Sequence, residues 1–272
     1  LKFKKIYPTN LKVKISKQKW TLPEEAKPNL DTLIYYFYKY QYSHLKKGSG
    51  TYNWDTFEIS PKSQFYKLKT NLKEDKHVKK EMSKKALLSY LLYEDDKIKV
   101  DEISPKDRFG NFVNNETKLR SMSIGKTMVS YVMGHAICRG YIDSVDSRLN
   151  DWPLIKNTLY ENQKIIDLLN MNAGDQNYVN RSNLKDGSGD VDTITISDAM
   201  LKMSNLKKSK SQYNYNALLP HLLLNYISFK SGDDFENLLE DIFQNEAKIE
   251  HSVHFFKHPN FKKEVGNANS MF

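Results

Sequence analysis

The stretch Leu119-Arg120-Ser121-Met122-Ser123-Ile124-Gly125-Lys126-Thr127 runs without a break into an apolar segment, Met128 to Ile137, and this junction constrains the fold more than any other part of the chain. Ile124, Met128, Val129, Val132, Met133, Ala136 and Ile137 recur at helical spacing, and Gly140 follows as a stop signal. The pattern predicts a helix that other elements must bury, with Ser123 on its first turn and Lys126 on the same face three residues later. A serine hydroxyl is a weak nucleophile that needs a nearby base and donors for the oxyanion. Free N–H groups at a helix start help to supply the donors. A lysine whose pKa is lowered by burial and neighbours can be the base. Ser123 and Lys126 are therefore candidate catalytic residues.

The bare spacing Ser-x-x-Lys is not selective in so lysine-rich a chain. It recurs at Ser16/Lys19, Ser43/Lys46, Ser182/Lys185 and Ser204/Lys207. Context separates Ser123/Lys126 from these. Upstream, Ala86 to Tyr93 and Ile98 to Ile103 flank the charged turn Glu94-Asp95-Asp96-Lys97 and read as a β-hairpin whose second strand alternates apolar and polar residues. Downstream, helices are predicted over Gln163 to Met171, Asp198 to Leu206, Ala217 to Phe229 and Phe235 to Phe243. Asn177 to Thr193 reads as a long polar surface loop, and the tail from Asn245 to Phe272 shows little periodicity. Residues 1 to 75 contain one strong apolar stretch, Leu30 to Tyr42, whose aromatic run reads as packing rather than a stacking surface.

Composition excludes several function classes. The net charge of +9 comes mostly from scattered lysine doublets such as Lys79-Lys80 and Lys207-Lys208, a solvated basic surface without a reading helix or aromatic platform, so no nucleic-acid partner is expected. Cys138 is the single cysteine, lies in the apolar helix and reads as a core residue, which rules out a disulfide framework or a cysteine metal site. No apolar run reaches the length of a membrane span, and no signal-like segment opens the chain, which begins at Leu1 and reads as processed or truncated.

Ser123-Ile124-Gly125-Lys126-Thr127, its helix, and the exit Gly140-Tyr141-Ile142-Asp143-Ser144-Val145-Asp146 resemble the serine β-lactamase-related family, in its class C-like, penicillin-binding-protein-like esterase and amidase branch. Asp167-Leu168-Leu169-Asn170-Met171-Asn172-Ala173-Gly174 is similar to the next element of that family. The resemblance covers about residues 85 to 255 and implies an α/β (α+β) transpeptidase-like fold, an antiparallel sheet flanked by helices plus a helical region. It implies an extension at 1–75 and a family domain at 76–272, with hairpin and nucleophile helix in 76–155 and the helical region in 156–272. The family also implies a catalytic tyrosine in a Tyr-x-Asn setting. Tyr178-Val179-Asn180 fits the letters but follows too soon and has no apolar helix behind it. Tyr215 is the preferred candidate, with Tyr213 at the preceding aromatic position and second in rank; Ala217 stands where asparagine is common, and Asn216 could take over its substrate contact.

The implied activity is hydrolysis of a small-molecule ester, amide or peptide-like substrate through an acyl-enzyme, by an esterase or amidase rather than a drug-hydrolysing lactamase. No cofactor or metal is expected, and the family implies a periplasmic or secreted setting. Lys230-Ser231-Gly232 matches the third motif of the family in letters, but its place at the end of an apolar helix reads as a C-cap. The third motif and the last sheet strands are therefore expected beyond Phe272, which would leave the chain incomplete at its C-terminus. The alternative implied by that gap is a non-catalytic binding or structural relative that keeps the fold.

Overall fold

The computed structural model describes residues 64–85, 87–110, 113–115, 117, 121–189, 191 and 194–257, together with the strands Ile15–Ser16, Lys19–Trp20, Asn53–Phe57 and Asn267–Met271. Two compact units divide the chain, one formed by Leu1–Gly48 and Lys67–Leu119, the other by Ser49–Tyr66 and Arg120–Phe272. Ala86 and the aromatic stretch Leu30 to Tyr42 lie outside the described residues.

In the first unit, Asp75 caps the helix Lys76–Lys84 by accepting the N–H groups of His77 at 2.8 Å and Val78 at 3.0 Å. Val78 and Met82 are its buried residues. The expected hairpin is present as Ser89–Glu94 paired antiparallel with Lys97–Ile103. Its turn residues Asp95 and Asp96 have φ of 51° and 57°, which the two-residue type I′ connection requires. The short strand Lys69–Thr70 pairs in parallel with the free side of Lys97–Ile103, and Val100 is buried.

The second unit is built round the helices read from the sequence. Gly125–Cys138 buries Val129, Val132, Met133 and Ala136 and is entered through a 3₁₀ turn, Met122–Ile124. It ends as a glycine cap should: Gly140 has φ of 79° and donates to the Ile137 carbonyl at 2.9 Å, while Tyr141 N–H donates to that of Ala136 at 3.0 Å. Cys138 is exposed, not a core residue. It stands two residues past Ala136, about 200° round the helix and so on the far face.

The helix Leu218–Ser231 is buried from Leu218 through Ile227, the pattern of a helix enclosed on all sides. Gly125–Cys138, Ile165–Leu169 and Ile196–Lys202 pack against it. Three helices are displaced or shorter than the sequence predicts, Ile165–Leu169 occupying only the middle of the expected Gln163 to Met171. Ile196–Lys202 begins early because Thr195 caps it, accepting Asp198 N–H at 3.0 Å. The helix Phe235–Glu240 continues as a π turn, Asp241–Glu246.

Two sequence expectations are corrected. Asn177 to Thr193 is not simply a surface loop, because Val179, Leu184 and Val191 are buried and the pair Val179–Asn180 and Asn183–Leu184 forms a small hairpin. The tail holds two strands: Val253–Lys257 is the centre of an antiparallel sheet, with Asn53–Phe57 on one side and Asn267–Met271 on the other. Strands of five residues leave too short a two-residue alternation to stand out. Asn267–Met271 packs against Gly125–Cys138, Leu218–Ser231 and the turn Met122–Ile124. Among the described residues no helix is long and apolar enough to cross a membrane.

His221 lies fully inside the helix Leu218–Ser231, and burial pushes its imidazole down to about 4. The unfolded chain takes up a proton there near pH 6.5, which the folded chain resists until about pH 4. The associated stability is thus complete above pH 6.5 and is lost as pH falls toward 4. Urea denaturation of wild type and His221→Leu at several pH values should show the wild type losing about 3 kcal/mol more than the variant between pH 7 and pH 4.

Candidate active site

Ser123 sits in the 3₁₀ turn that opens the helix Gly125–Cys138, where Ile124 N–H donates to the Ser121 carbonyl at 3.1 Å and Gly125 is buried. Ser123 itself is exposed, and no side chain caps the helix start. Its hydroxyl therefore stands beside the positive end of the helix dipole, an environment that favours an anion. Lys126, one turn on, donates from Nζ to Ser123 Oγ at 3.2 Å.

Tyr215 comes to the same place from the segment before the core helix. Lys126 Nζ lies 5.2 Å from the centroid of its ring, within cation–π range. Burial alone would raise the Tyr215 phenol. Its hydrogen-bonding contact with Ser123, the charge and hydrogen bond of Lys126, and the charge of Arg181 outweigh burial and hold it below the ordinary tyrosine value. Ser123, Lys126 and Tyr215 thus meet. Tyr213, the competing tyrosine, is 70% exposed.

The alternation of side chains along this segment accounts for where Tyr215 points. On either side of it, Asn214 and Asn216 turn inward and donate to one carboxylate, Asn214 Nδ2 to Asp175 Oδ1 at 2.8 Å and Asn216 Nδ2 to Asp175 Oδ2 at 3.0 Å. Tyr160 adds its hydroxyl to Oδ2 at 3.0 Å. Asp175 and Asn216 are fully buried. Burial raises the Asp175 carboxyl and dominates over the opposing hydrogen bonds of Asn214, Tyr160, its own backbone and Asn216, while burial and the Asp175 charge push the Tyr160 phenol well up.

Asn216 does not present an open amide. Its second Nδ2 bond goes to the Asn214 carbonyl at 3.0 Å, and its Oδ1 accepts Leu219 N–H at 3.1 Å, capping the core helix from within. The expectation that it replaces a substrate-contacting asparagine thus meets a side chain already engaged on both atoms. Gly174, from the motif that precedes Asp175, has φ of 72°, and a Cβ there would lie 2.5 Å from the Ser209 carbonyl oxygen. Ser209 N–H donates to the Gly174 carbonyl at 2.8 Å and Asn214 N–H to that of Met171 at 2.8 Å, so the two segments are joined along their backbones.

Asp175, Tyr160, Asn214 and Arg181 are absent from the sequence-derived site. Asp175 follows directly on the motif ending Ala173-Gly174, yet nothing local distinguishes a buried hub from an exposed turn aspartate. Arg181 lies in the supposed surface loop; its carbonyl accepts Ala217 N–H at 2.7 Å and brings the loop alongside Tyr215. Tyr178 is set apart, donating its hydroxyl to the Lys207 carbonyl at 3.1 Å. Lys230-Ser231-Gly232 is a helix end: Lys230 donates to Asp151, Ser231 Oγ to the Ile227 carbonyl, and Gly232 has φ of 57°. Among the described residues no group of three or more His, Cys, Asp or Glu could hold a metal ion.

Asp175→Ala would leave the Tyr160 hydroxyl and two amides buried without their acceptor, and should lower stability by about 3 kcal/mol or more in urea denaturation. Tyr160→Phe keeps the shape and removes one donor, and should cost about 1 kcal/mol.

No protein-family model and no curated protein matches the chain. Among solved structures, one described as "Putative 6-aminohexanoate-dimer hydrolase from Bacillus anthracis" matches with a TM-score of 0.56 and 13% identity, over 80% of this chain. The match spans 61% of the length of that structure. The likeness is one of fold: this mixed α/β chain shares the β-lactamase/penicillin-binding-protein-like fold of that protein.

Proposed function

We propose that the chain is a serine hydrolase of the β-lactamase-related family, acting on an ester or amide through an acyl-enzyme. One observation carries the reading: Lys126 Nζ lies 3.2 Å from Ser123 Oγ while Tyr215, its phenol held below the ordinary value, contacts both. A base works best when its pKa lies near the working pH. In this reading the lowered phenol of Tyr215 is the proton acceptor, and Lys126 Nζ orients the Ser123 hydroxyl.

As Ser123 Oγ attacks the acyl carbon, its proton passes to Tyr215, and the C–O or C–N bond to the leaving group breaks once Tyr215 returns that proton. Water then attacks the acyl-enzyme by the same route, releasing the acid and restoring Ser123. In this reading the Ser123 N–H, at the helix start, is one oxyanion donor.

The decisive experiment is labelling by a fluorophosphonate probe, with the modified residue mapped by mass spectrometry. Wild type should label at Ser123 and Ser123→Ala should not; an intact protein that no acylating probe labels would instead be a binding relative of the same fold. Tyr215→Phe should lower kcat/KM for an ester by roughly 10²–10⁴-fold. In wild type kcat/KM should rise with pH and level off below pH 10, the ordinary tyrosine value, because the active form is the deprotonated phenol; the variant should lose that limb.

A further inference from the structure

Beside Lys126 the surface opens into a cavity of about 190 Å³ between three helical segments, and the reaction assigned above leaves it without a role. Its deeper wall is apolar: Val129 from the nucleophile helix, Leu168, Leu169 and Met171 from the end of Ile165–Leu169, and Pro220 and Leu223 from the core helix. Lys126, Thr127 and Ser130 line the rest. Ser123, Thr127 and Ser130 are spaced at i, i+4 and i+7, so two of the lining residues lie on the stripe of surface that carries Ser123, and Lys126, which bonds Ser123 Oγ, is a third. Thr127 and Ser130 are exposed at its rim, whereas Val129, Leu168 and Leu223 are buried.

We infer that this cavity is the subsite for a neutral aliphatic chain of about six carbons carried by the ester or amide that Ser123 attacks. The inference rests on the hydrolase reading for the bond cleaved, but the ligand chemistry follows from the cavity alone. A dry apolar cavity of about 150 Å³ takes up benzene, so this volume suits a six-carbon group. Lys126 is the only charged residue in the lining, so a cationic tail would be repelled there, and the apolar wall beyond it offers an anionic tail no partner. A buried aliphatic chain gains about fourfold in affinity for each methylene removed from water.

Two measurements test this, one of them independent of turnover. Titration with hexan-1-ol and with benzene, followed by methyl NMR, should shift the signals of Leu168, Leu223 and Val129 in wild type and in Ser130→Ala. Ser130→Phe, whose ring fills the mouth from an exposed position, should not respond. If neither probe moves those methyls in wild type, the subsite is refuted whatever the activity.

In the kinetic arm, p-nitrophenyl esters from acetate to hexanoate place the chain on the acyl side, and ethyl to hexyl acetates place it on the alcohol side. kcat/KM should climb about fourfold per methylene in one of the two series, and Ser130→Phe should flatten that climb. Flat dependence in both series, with Ser123 still labelled by a fluorophosphonate, overturns the subsite and leaves the hydrolase reading standing. Methyl shifts without any labelling support the cavity as an aliphatic site and overturn the hydrolase reading instead.

Discussion

The carboxylate of Asp175 is the constraint on which the geometry round Ser123 depends. It lies in the interior, where an isolated charge or an unpaired acceptor is expensive, and it survives there because Tyr160, Asn214 and Asn216 all donate to it. Those donors come from two stretches of chain remote from Asp175 in sequence. The carboxylate therefore joins the turn after Ile165–Leu169, the segment round Tyr160, and the approach to the core helix. With Asn214 and Asn216 both drawn inward, Tyr215 between them is left facing the helix that bears Ser123. Positioning of Tyr215 and burial of the network are one event.

The electrostatics of the site follow from this placement and from the helix. Ser123 stands where a helix begins, Lys126 brings a cation to the same face, and Arg181 adds a second positive charge from the hairpin beside it. All three favour negative charge at the same point. Two kinds of polar cluster thus lie on opposite sides of a few residues. Inward, the Asp175 carboxyl and Tyr160 phenol are pushed up by burial; outward, the half-buried Tyr215 phenol is pulled down by its neighbours. Alternating side-chain direction along the backbone keeps them apart.

Much of the second unit was legible in the sequence because its elements are long or capped by residues of unmistakable type. The nucleophile helix, the enclosed core helix and the glycine at position 140 are cases of strong periodicity or a required positive φ, and so is the hairpin in the first unit. Short strands were not legible: Val253–Lys257 and Asn267–Met271 and the hairpin at 179–184 carry too few residues for a two-residue period to emerge. Ser123, Lys126 and Tyr215 could be singled out because each sits in a recognisable local pattern. Asp175, Tyr160 and Arg181 could not, since their roles arise from contacts made between distant parts of the chain. Asn216 is a like case: only the fold shows its amide bonded to Asp175, the Asn214 carbonyl and Leu219 N–H.

The rival Ser-x-x-Lys pairs explain why the helix start matters more than the spacing. Ser182/Lys185 belongs to the small hairpin, where Lys185 donates to the Gln176 carbonyl at 2.6 Å and so faces away from any acyl group Ser182 could approach. Ser204/Lys207 follows the helix Ile196–Lys202 and lies at its C-terminal end, where the carbonyls point outward and the dipole is negative. An oxyanion formed beside Ser204 would meet the negative end of a helix dipole, the opposite of the field at the helix start that bears Ser123. Identical letters at the two ends of a helix meet opposite potentials, and only one end can stabilise the transition state of acyl transfer.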